Sequence, residues 1–101
     1  MNEPKEKNMK AIWENIVLAE SDNTLEVDGY HYFPVESLKK EYFHESATHT
    51  VCSWKGTASY FDIIVNGKVN KDAAWYYQEP KDAAVHIKNY IGFWRGVQIV
   101  K

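Results

Sequence analysis

The sequence of 101 residues contains few features that would assign it to a specialised class of protein. It has one cysteine, so it can form no internal disulfide and cannot build a zinc site from several thiolates. No apolar run approaches the roughly 18 residues that a membrane span needs. The polar start MNEPKEKNMK also lacks the apolar core of a signal peptide. We therefore expect a soluble, cytoplasmic protein with no membrane partner.

Neither positive nor negative charge predominates in the sequence. Twelve Lys and Arg residues against fourteen Asp and Glu residues give a formal net charge of −2, and the longest basic run is Lys39-Lys40. Nucleic-acid binding through charge needs a basic footprint, so we expect no nucleic-acid partner. There is no Asp-x-Asp pair, phosphate-binding glycine loop or closely spaced histidine pair. We expect no cofactor and no metal, unless separate strands assemble a metal site.

The sequence is rich in aromatic residues and in tight-turn signals. Aromatic residues make up 15% of the chain, with four Trp and seven Tyr, and they favour half-buried strands. Asp28-Gly29 and Asn66-Gly67 are dipeptides typical of type I′ hairpin turns, which require positive φ at both positions. Together with a break at Glu14-Asn15, these signals predict about eight strands in antiparallel hairpins, with a bulge near residues 70–72.

One helix is predicted near the C-terminus. Pro80 occupies a favoured first helical position, and four apolar residues follow at helical spacing. These residues are Ala84, Ile87, Ile91 and Trp94. Residues 35–43 indicate one or two helical turns or a loop. We predict a mainly β (α+β) domain over residues 9–101, with this C-terminal helix packed on the sheet, after a flexible tail of residues 1–8.

The stretch HTVCSWKGTASY, residues 49–60, collects several reactive side chains. A nucleophilic thiolate at Cys52 would need a base such as His49. Residues three apart on a strand point to opposite faces, so we favour a small buried cysteine. The Lys55-Gly56 turn is a better place for a carboxylate or phosphate, because glycine lets a ligand approach the backbone. The competing interpretation, a solvated surface lysine, is the more common one for a turn.

Aromatic and acidic residues complete the candidate site. Tyr30 and Tyr32 share one strand face, and so do Trp75 and Tyr77. Such aromatic residues are more often core than pocket, although Tyr and Trp also line ligand sites. Carboxylates near the first hairpins offer acid–base groups or oxygen ligands for Mg²⁺, with a solvated strand face as the favoured alternative. This acidic set is Glu20, Asp22, Glu26 and Asp28.

The blocks VLAES, GYHYFP, TVCSWKGTASY, DAAWYYQEP and FWRGV resemble, in this order, the small bacterial domain of unknown function 427, which is also catalogued as nucleotidyltransferase-like. The resemblance covers about residues 9–100. It implies a compact β-tent fold, shared with zinc-bearing methionine sulfoxide reductases and a small Rab-binding chaperone. Those relatives hold zinc with two cysteine pairs, so neither zinc nor thiol chemistry is implied here. Ser53 and Gln78 stand where the family pattern often has proline.

The residues shared with the family include most of the candidate site. They are Glu20, Tyr32, Pro34, Cys52, Lys55, Gly56, Tyr60, Trp75, Tyr76 and Pro80. The chain lacks the paired carboxylates and phosphate cradle on which nucleotidyl transfer rests.

We therefore predict a domain that binds a small anionic or nucleotide-like ligand, with enzymatic activity left open. The catalytic candidates are Lys55 and Glu20, and the ligand-binding candidates are Tyr32, Lys55, Gly56, Tyr60 and Trp75. The alternative is a non-enzymatic structural or protein-interaction module. In either case we expect a monomer or a weak homo-oligomer.

Overall fold

The structure, a computed structural model, describes residues 5–101 and arranges them in two antiparallel sheets. The strands are β1 (Met9–Trp13), β2 (Ile16–Ser21), β3 (Leu25–Val27), β4 (Tyr30–Pro34), β5 (Phe43–Cys52), β6 (Gly56–Val65), β7 (Lys68–Tyr76), β8 (Tyr90–Phe93) and β9 (Gln98–Val100). The small sheet has the order β2-β1-β9, and the large sheet has the order β3-β4-β8-β7-β6-β5. The mainly β character predicted from the aromatic content and turn signals is confirmed.

The predicted hairpin turns form where the sequence places them. Asp28-Gly29 joins β3 to β4 with φ values of 54° and 81°, and Asn66-Gly67 joins β6 to β7 with φ values of 50° and 79°. Positive φ at both positions matches the right-handed twist of the strands on either side. The predicted bulge is also present, because the register of β6 with β7 shifts beside Asp72, whose φ is 55°.

The predicted C-terminal helix is wrong. Asp82–Ile87 forms a 3₁₀ helix interrupted at Ala84, whose φ is −121°, and no helix in residues 5–101 reaches seven residues. Three residues per turn place Ala84 and Ile87 on one buried side, which imitates the start of an α-helical pattern. Asn89 then takes a φ of 66°, and Ile91 pairs with Phe33 in the large sheet. Strand pairing thus overrides the helical spacing.

Residues 35–43 agree with the expectation of one or two helical turns. They contain two short 3₁₀ helices, Val35–Ser37 and Lys40–Tyr42. No helix within the described range is long and apolar enough to cross a membrane.

The boundary predicted between a tail and the domain is only partly visible, because residues 1–4 lie outside the described residues. In the part that is described, Glu6 and Thr24 exchange two backbone hydrogen bonds of 2.9 and 3.2 Å.

Buried side chains form two clusters on opposite faces of the large sheet. The main core is Met9, Ala11, Leu18, Ala19, Phe33, Leu38, Ile63, Val65, Ala73, Ala74, Ile91 and Phe93. The aromatic cluster is Val27, Tyr32, Ala58, Trp75, Tyr77, Ala84 and Ile87. Successive strand residues point to opposite faces, so Phe33 enters the main core while Tyr32 enters the aromatic cluster.

Candidate functional site

A concave site of about 170 Å³ opens beside the aromatic cluster. Its lining residues come from β4, β6 and β7 and from three connections between strands. They are Tyr30, Lys55, Tyr60, Trp75, Tyr77 and Trp94. The site therefore combines one basic side chain with five aromatic side chains, and we call it the aromatic pocket.

Lys55 occupies the turn between β5 and β6, yet its side chain is only 8% exposed. Its ammonium group donates hydrogen bonds to Asp28 Oδ2 at 2.9 Å and to the Tyr32 hydroxyl at 3.3 Å. Asp28 stands at the tip of the β3–β4 hairpin and is 54% exposed. The interpretation of Lys55 as a solvated turn lysine is therefore wrong, because a neighbouring hairpin covers the side chain.

Lys55 keeps its positive charge although its side chain is largely buried. Burial lowers the pKa of Lys55. The hydrogen bond to Asp28 and the interactions with Tyr32 raise the pKa by more than burial lowers it, so the net pKa lies above the usual 10.5. The ammonium also lies 5.2 Å from the ring centroid of Trp54 and 5.7 Å from that of Tyr32. At these distances the negative faces of aromatic rings attract a cation.

Trp75 is held in place by a glycine on the neighbouring strand. Gly92 lies opposite Trp75, and a Cβ at Gly92 would approach ring atom Cε2 of Trp75 to 2.6 Å. A side chain there would displace the indole. The Trp75 Nε1 group donates to the Tyr32 hydroxyl at 3.1 Å, and the rings of Tyr30 and Trp94 pack edge-on at centroid distances of 5.0 and 5.7 Å. These contacts fix one wall of the pocket.

Two tyrosines form other parts of the wall. Tyr77 is 6% exposed, and its pKa is raised to about 12, chiefly by burial and then by the proximity of Tyr32. Tyr77 therefore stays protonated at neutral pH and can donate a hydrogen bond. The Tyr60 hydroxyl shares a 2.8 Å hydrogen bond with Thr50 Oγ1 on β5.

The structure brings together some of the residues predicted as ligand-binding. Lys55, Tyr60 and Trp75 line the pocket, whereas Tyr32 is fully buried behind it. Gly56 does not line the pocket and begins β6 with a φ of 115°. Its open side faces the backbone of residues 79–81, and a Cβ added at Gly56 would lie 3.4 Å from the Glu79 carbonyl oxygen. The role of Gly56 is thus to let that segment pack against the turn.

Glu20, the second catalytic candidate, lies elsewhere. It is exposed on β2 and faces Lys10 across the small sheet, and it is not among the pocket-lining residues. Its acid or base role stays a prediction without support from the pocket geometry. Of the acidic set, Asp28 is the member that contacts Lys55.

The expected separation of Cys52 from His49 is confirmed. Cys52 is half-buried and packs against the aromatic cluster. His49 is exposed, and its Nδ1 lies 3.2 Å from Ser59 Oγ on the neighbouring strand. The two side chains follow opposite faces of β5, so no thiol–imidazole pair forms.

The sequence left Tyr30 and Tyr77 open between core and pocket and did not predict them as ligand-binding. It missed Trp94 as a lining residue and Asp28 as the partner of Lys55. Tyr30 shares a strand face with Tyr32, so this pairing was a usable signal. Trp94 follows β8, where its Nε1 donates to the Asp72 carbonyl oxygen at 2.6 Å. No local pattern in the sequence indicates that contact.

Comparison with known proteins gives a family and no curated relative. No curated protein matches the chain. The model of a family described as a domain of unknown function (DUF427), and named as an NTP transferase, matches residues 1–100. The match includes every residue of the aromatic pocket. The chain therefore belongs to the domain of unknown function 427 family.

Proposed function

We propose that this chain binds a small anionic or nucleotide-like ligand, which inserts one flat ring into the aromatic pocket and directs an acidic group towards Lys55. The observation that carries the proposal is a charged lysine, 8% exposed, in a concave site otherwise lined by Tyr and Trp. Pockets of this kind, mostly aromatic with a few placed polar groups, are typical of small-molecule sites.

The size of the pocket limits the ligand. A cavity of about 150 Å³ holds benzene in another protein, so a site of about 170 Å³ suits one six-membered ring. A single-ring carboxylate or a pyrimidine nucleotide fits this limit, with its remaining atoms outside the pocket. A purine or another fused ring would exceed it.

The hydrogen-bonding capacity of Lys55 supports an acceptor on the ligand. A lysine ammonium has three N–H donors, and Asp28 and Tyr32 accept two of them. A ligand carboxylate or phosphate would accept the third in a charge-assisted hydrogen bond, which is stronger than a bond between neutral groups. The protonated Tyr77 hydroxyl offers a second donor.

Nucleotidyl transfer is not part of the proposal. That chemistry uses metal ions held by carboxylates beside the phosphates. The residues that line the pocket include no carboxylate, and Asp28 is engaged with Lys55. Binding is therefore proposed without a transfer step.

A binding screen tests the proposal directly. Benzoate, orotate and uridine monophosphate are compared with acetate and inorganic phosphate, which lack a ring, by thermal shift and by tryptophan fluorescence. We expect ring-bearing anions alone to stabilise the fold, by about 2.7 kcal/mol at a concentration 100 times the dissociation constant. Stabilisation by none of the ring-bearing anions would contradict the proposal.

A matched pair of lysine variants sharpens the screen. Lys55→Met removes the buried charge, and Lys68→Met removes a lysine that forms an ion pair of the same 2.9 Å length with Glu14 but is 67% exposed. We expect Lys55→Met to abolish the stabilisation by benzoate and Lys68→Met to preserve it. Equal responses of the two variants would show that the ligand binds outside the pocket.

The alternative function is protein interaction without a small ligand. It rests on the exposure of Tyr30 (40%) and Trp54 (38%), large apolar side chains each within two residues of one member of the Lys55–Asp28 ion pair. Exposed aromatic residues of this kind are frequent in protein interfaces. Light scattering over a concentration series tests self-association. Trp54→Ala should weaken a dimer built on this surface and leave benzoate binding intact.

A further inference from the structure

A second group of functional side chains lies on the β3–β4 hairpin, on the face away from the aromatic pocket. Glu26 and His31 are directly opposed in the register of the two strands. Their neighbours Val27 and Tyr30 point the other way, towards the aromatic cluster and the pocket. The paired backbones of Glu6 and Thr24 bring the Glu6 side chain to the same face.

The donor atoms of these three side chains converge. One carboxylate oxygen from Glu6, one from Glu26 and one ring nitrogen of His31 lie within 4.8 Å of one another. His31 Nδ1 is buried and has no hydrogen-bond partner among the described residues. Its distance of 3.8 Å to Glu6 Oε2 is too long for a hydrogen bond. A buried ring nitrogen without a partner is rare, because such atoms usually find a donor or an acceptor.

We propose that Glu6, Glu26 and His31 bind a divalent transition-metal ion of the Zn²⁺ type. One imidazole nitrogen and two carboxylate oxygens suit Zn²⁺ better than Mg²⁺ or Ca²⁺, which prefer oxygen ligands alone. Two donors each about 2.1 Å from a tetrahedral Zn²⁺ lie about 3.4 Å apart, so small rotations of the exposed Glu26 and half-buried Glu6 side chains complete the site. The ion would satisfy His31 Nδ1 and neutralise both carboxylates.

The ligands come from three separate segments, which explains why no spacing motif marks them in the sequence. A bound ion ties residues 5–8 to the β3–β4 hairpin through Glu6. Three protein ligands leave the fourth tetrahedral position for water or an exogenous ligand. The site does not depend on the aromatic pocket, because none of its residues lines that pocket.

Calorimetric titration of the tag-free full chain with Zn²⁺ tests the proposal. We expect one-to-one binding. His31→Gln should weaken it more than about 100-fold, because loss of an outer-shell partner alone costs about 10–100-fold and His31 is a direct ligand. Glu26→Gln is a second variant at an exposed position, where failure to fold is not a concern, and it should also weaken binding. His44→Gln is the matched control, because His44 is exposed on β5 and faces Asp62, another carboxylate. It should bind Zn²⁺ like the wild type.

Limited trypsin digestion supplies an independent measurement. Cleavage after Lys5 and Lys7 should slow in Zn²⁺ and not in Mg²⁺, and His31→Gln should lose this protection. Lys55→Met should retain both Zn²⁺ binding and protection, which separates this proposal from the one on the aromatic pocket. The proposal is overturned if the wild type shows no one-to-one Zn²⁺ binding, or if His31→Gln binds Zn²⁺ as tightly as His44→Gln. The 3.8 Å approach of Glu6 to His31 would then be a contact without a metal ion.

Discussion

The two faces of the large sheet both bury apolar side chains but differ in chemistry. The main core consists of Ala, Val, Leu, Ile, Met and Phe side chains, none of which carries a nitrogen or an oxygen. The aromatic cluster contains Tyr32, Trp75 and Tyr77, and the polar atoms of Tyr32 and Trp75 bond to Lys55 or to one another. The main core is closed by the small sheet. The aromatic face is covered by hairpin tips and a 3₁₀ segment, which leave a pocket.

Tyr32 and Phe33 show the contrast within two adjacent residues. Both are 0% exposed. Phe33 packs edge-on against Phe93 and has no polar atom to satisfy. The Tyr32 hydroxyl receives hydrogen bonds from Lys55 and Trp75. Phe33 therefore stabilises the main core, whereas the equally buried Tyr32 positions the wall of the pocket. Substitutions on the two faces should separate these roles.

The largest effect on stability is expected in the main core. Phe33→Ala leaves a cavity at a fully buried position and should lower the free energy of unfolding by about 3–5 kcal/mol. Tyr30→Ala, at a residue 40% exposed, should lower it by about 1 kcal/mol or less while abolishing benzoate binding. Urea denaturation measures both variants. A larger loss for Tyr30→Ala than for Phe33→Ala would overturn the division between core and pocket.

A clash at the pocket wall should have the next largest effect. Gly92→Ala drives a Cβ against the Trp75 indole, and overpacking of this kind lowers stability by about 1–3 kcal/mol. The loss should be smaller in a Trp75→Leu background, because the ring that clashes is gone. A double-mutant cycle in urea gives the coupling, and additive effects of the two substitutions would rule out the clash as the cause.

The ion pair at the pocket should respond asymmetrically to loss of each partner. Asp28→Asn leaves the buried Lys55 charge without its carboxylate and should cost about 1–3 kcal/mol. Asparagine tolerates the positive φ of this turn, so the turn itself is retained. Lys55→Met leaves a carboxylate that is already 54% exposed, and it should cost less. Thermal denaturation at equal concentration ranks the two variants, with the reverse order as the contradicting result.

Tyr77 should change the stability of the fold only in alkali. The folded pKa of Tyr77 is about 12 against an ordinary value of 10.0, so the folded state favours the protonated form. This contribution to stability is complete below pH 10 and is lost as the pH rises towards 12. Tyr77→Phe cannot ionise, so its stability should fall less than that of the wild type over this interval. Parallel urea titrations across it give the comparison, and identical slopes would contradict the raised pKa.

The sequence predicted those features that depend on residues close together in the chain. The turns at Asp28-Gly29 and Asn66-Gly67 follow from residues that accept positive φ, and the separation of Cys52 from His49 follows from strand alternation. The C-terminal helix failed for the opposite reason. Residues 84–94 have helical spacing, but residues 90–93 pair as β8 with β4 and β7.

The same distinction holds for the candidate site. Lys55, Tyr60 and Trp75 were singled out from the composition of two short stretches, and they do share a pocket. The partner of Lys55 could not be found in this way, because Asp28 reaches it only through the placement of two separate hairpins. The convergence of Glu6, Glu26 and His31 likewise depends on a strand pair and on a distant bridge.

The sequence by itself determined that this chain is a mainly β domain and where its hairpins turn, because local backbone preferences and side-chain alternation act over a few residues. Only the tertiary structure decided that a turn lysine is buried and that the aromatic residues leave a pocket. Burial and charge pairing depend on which distant segments cover a side chain, and pairing between strands sets that arrangement.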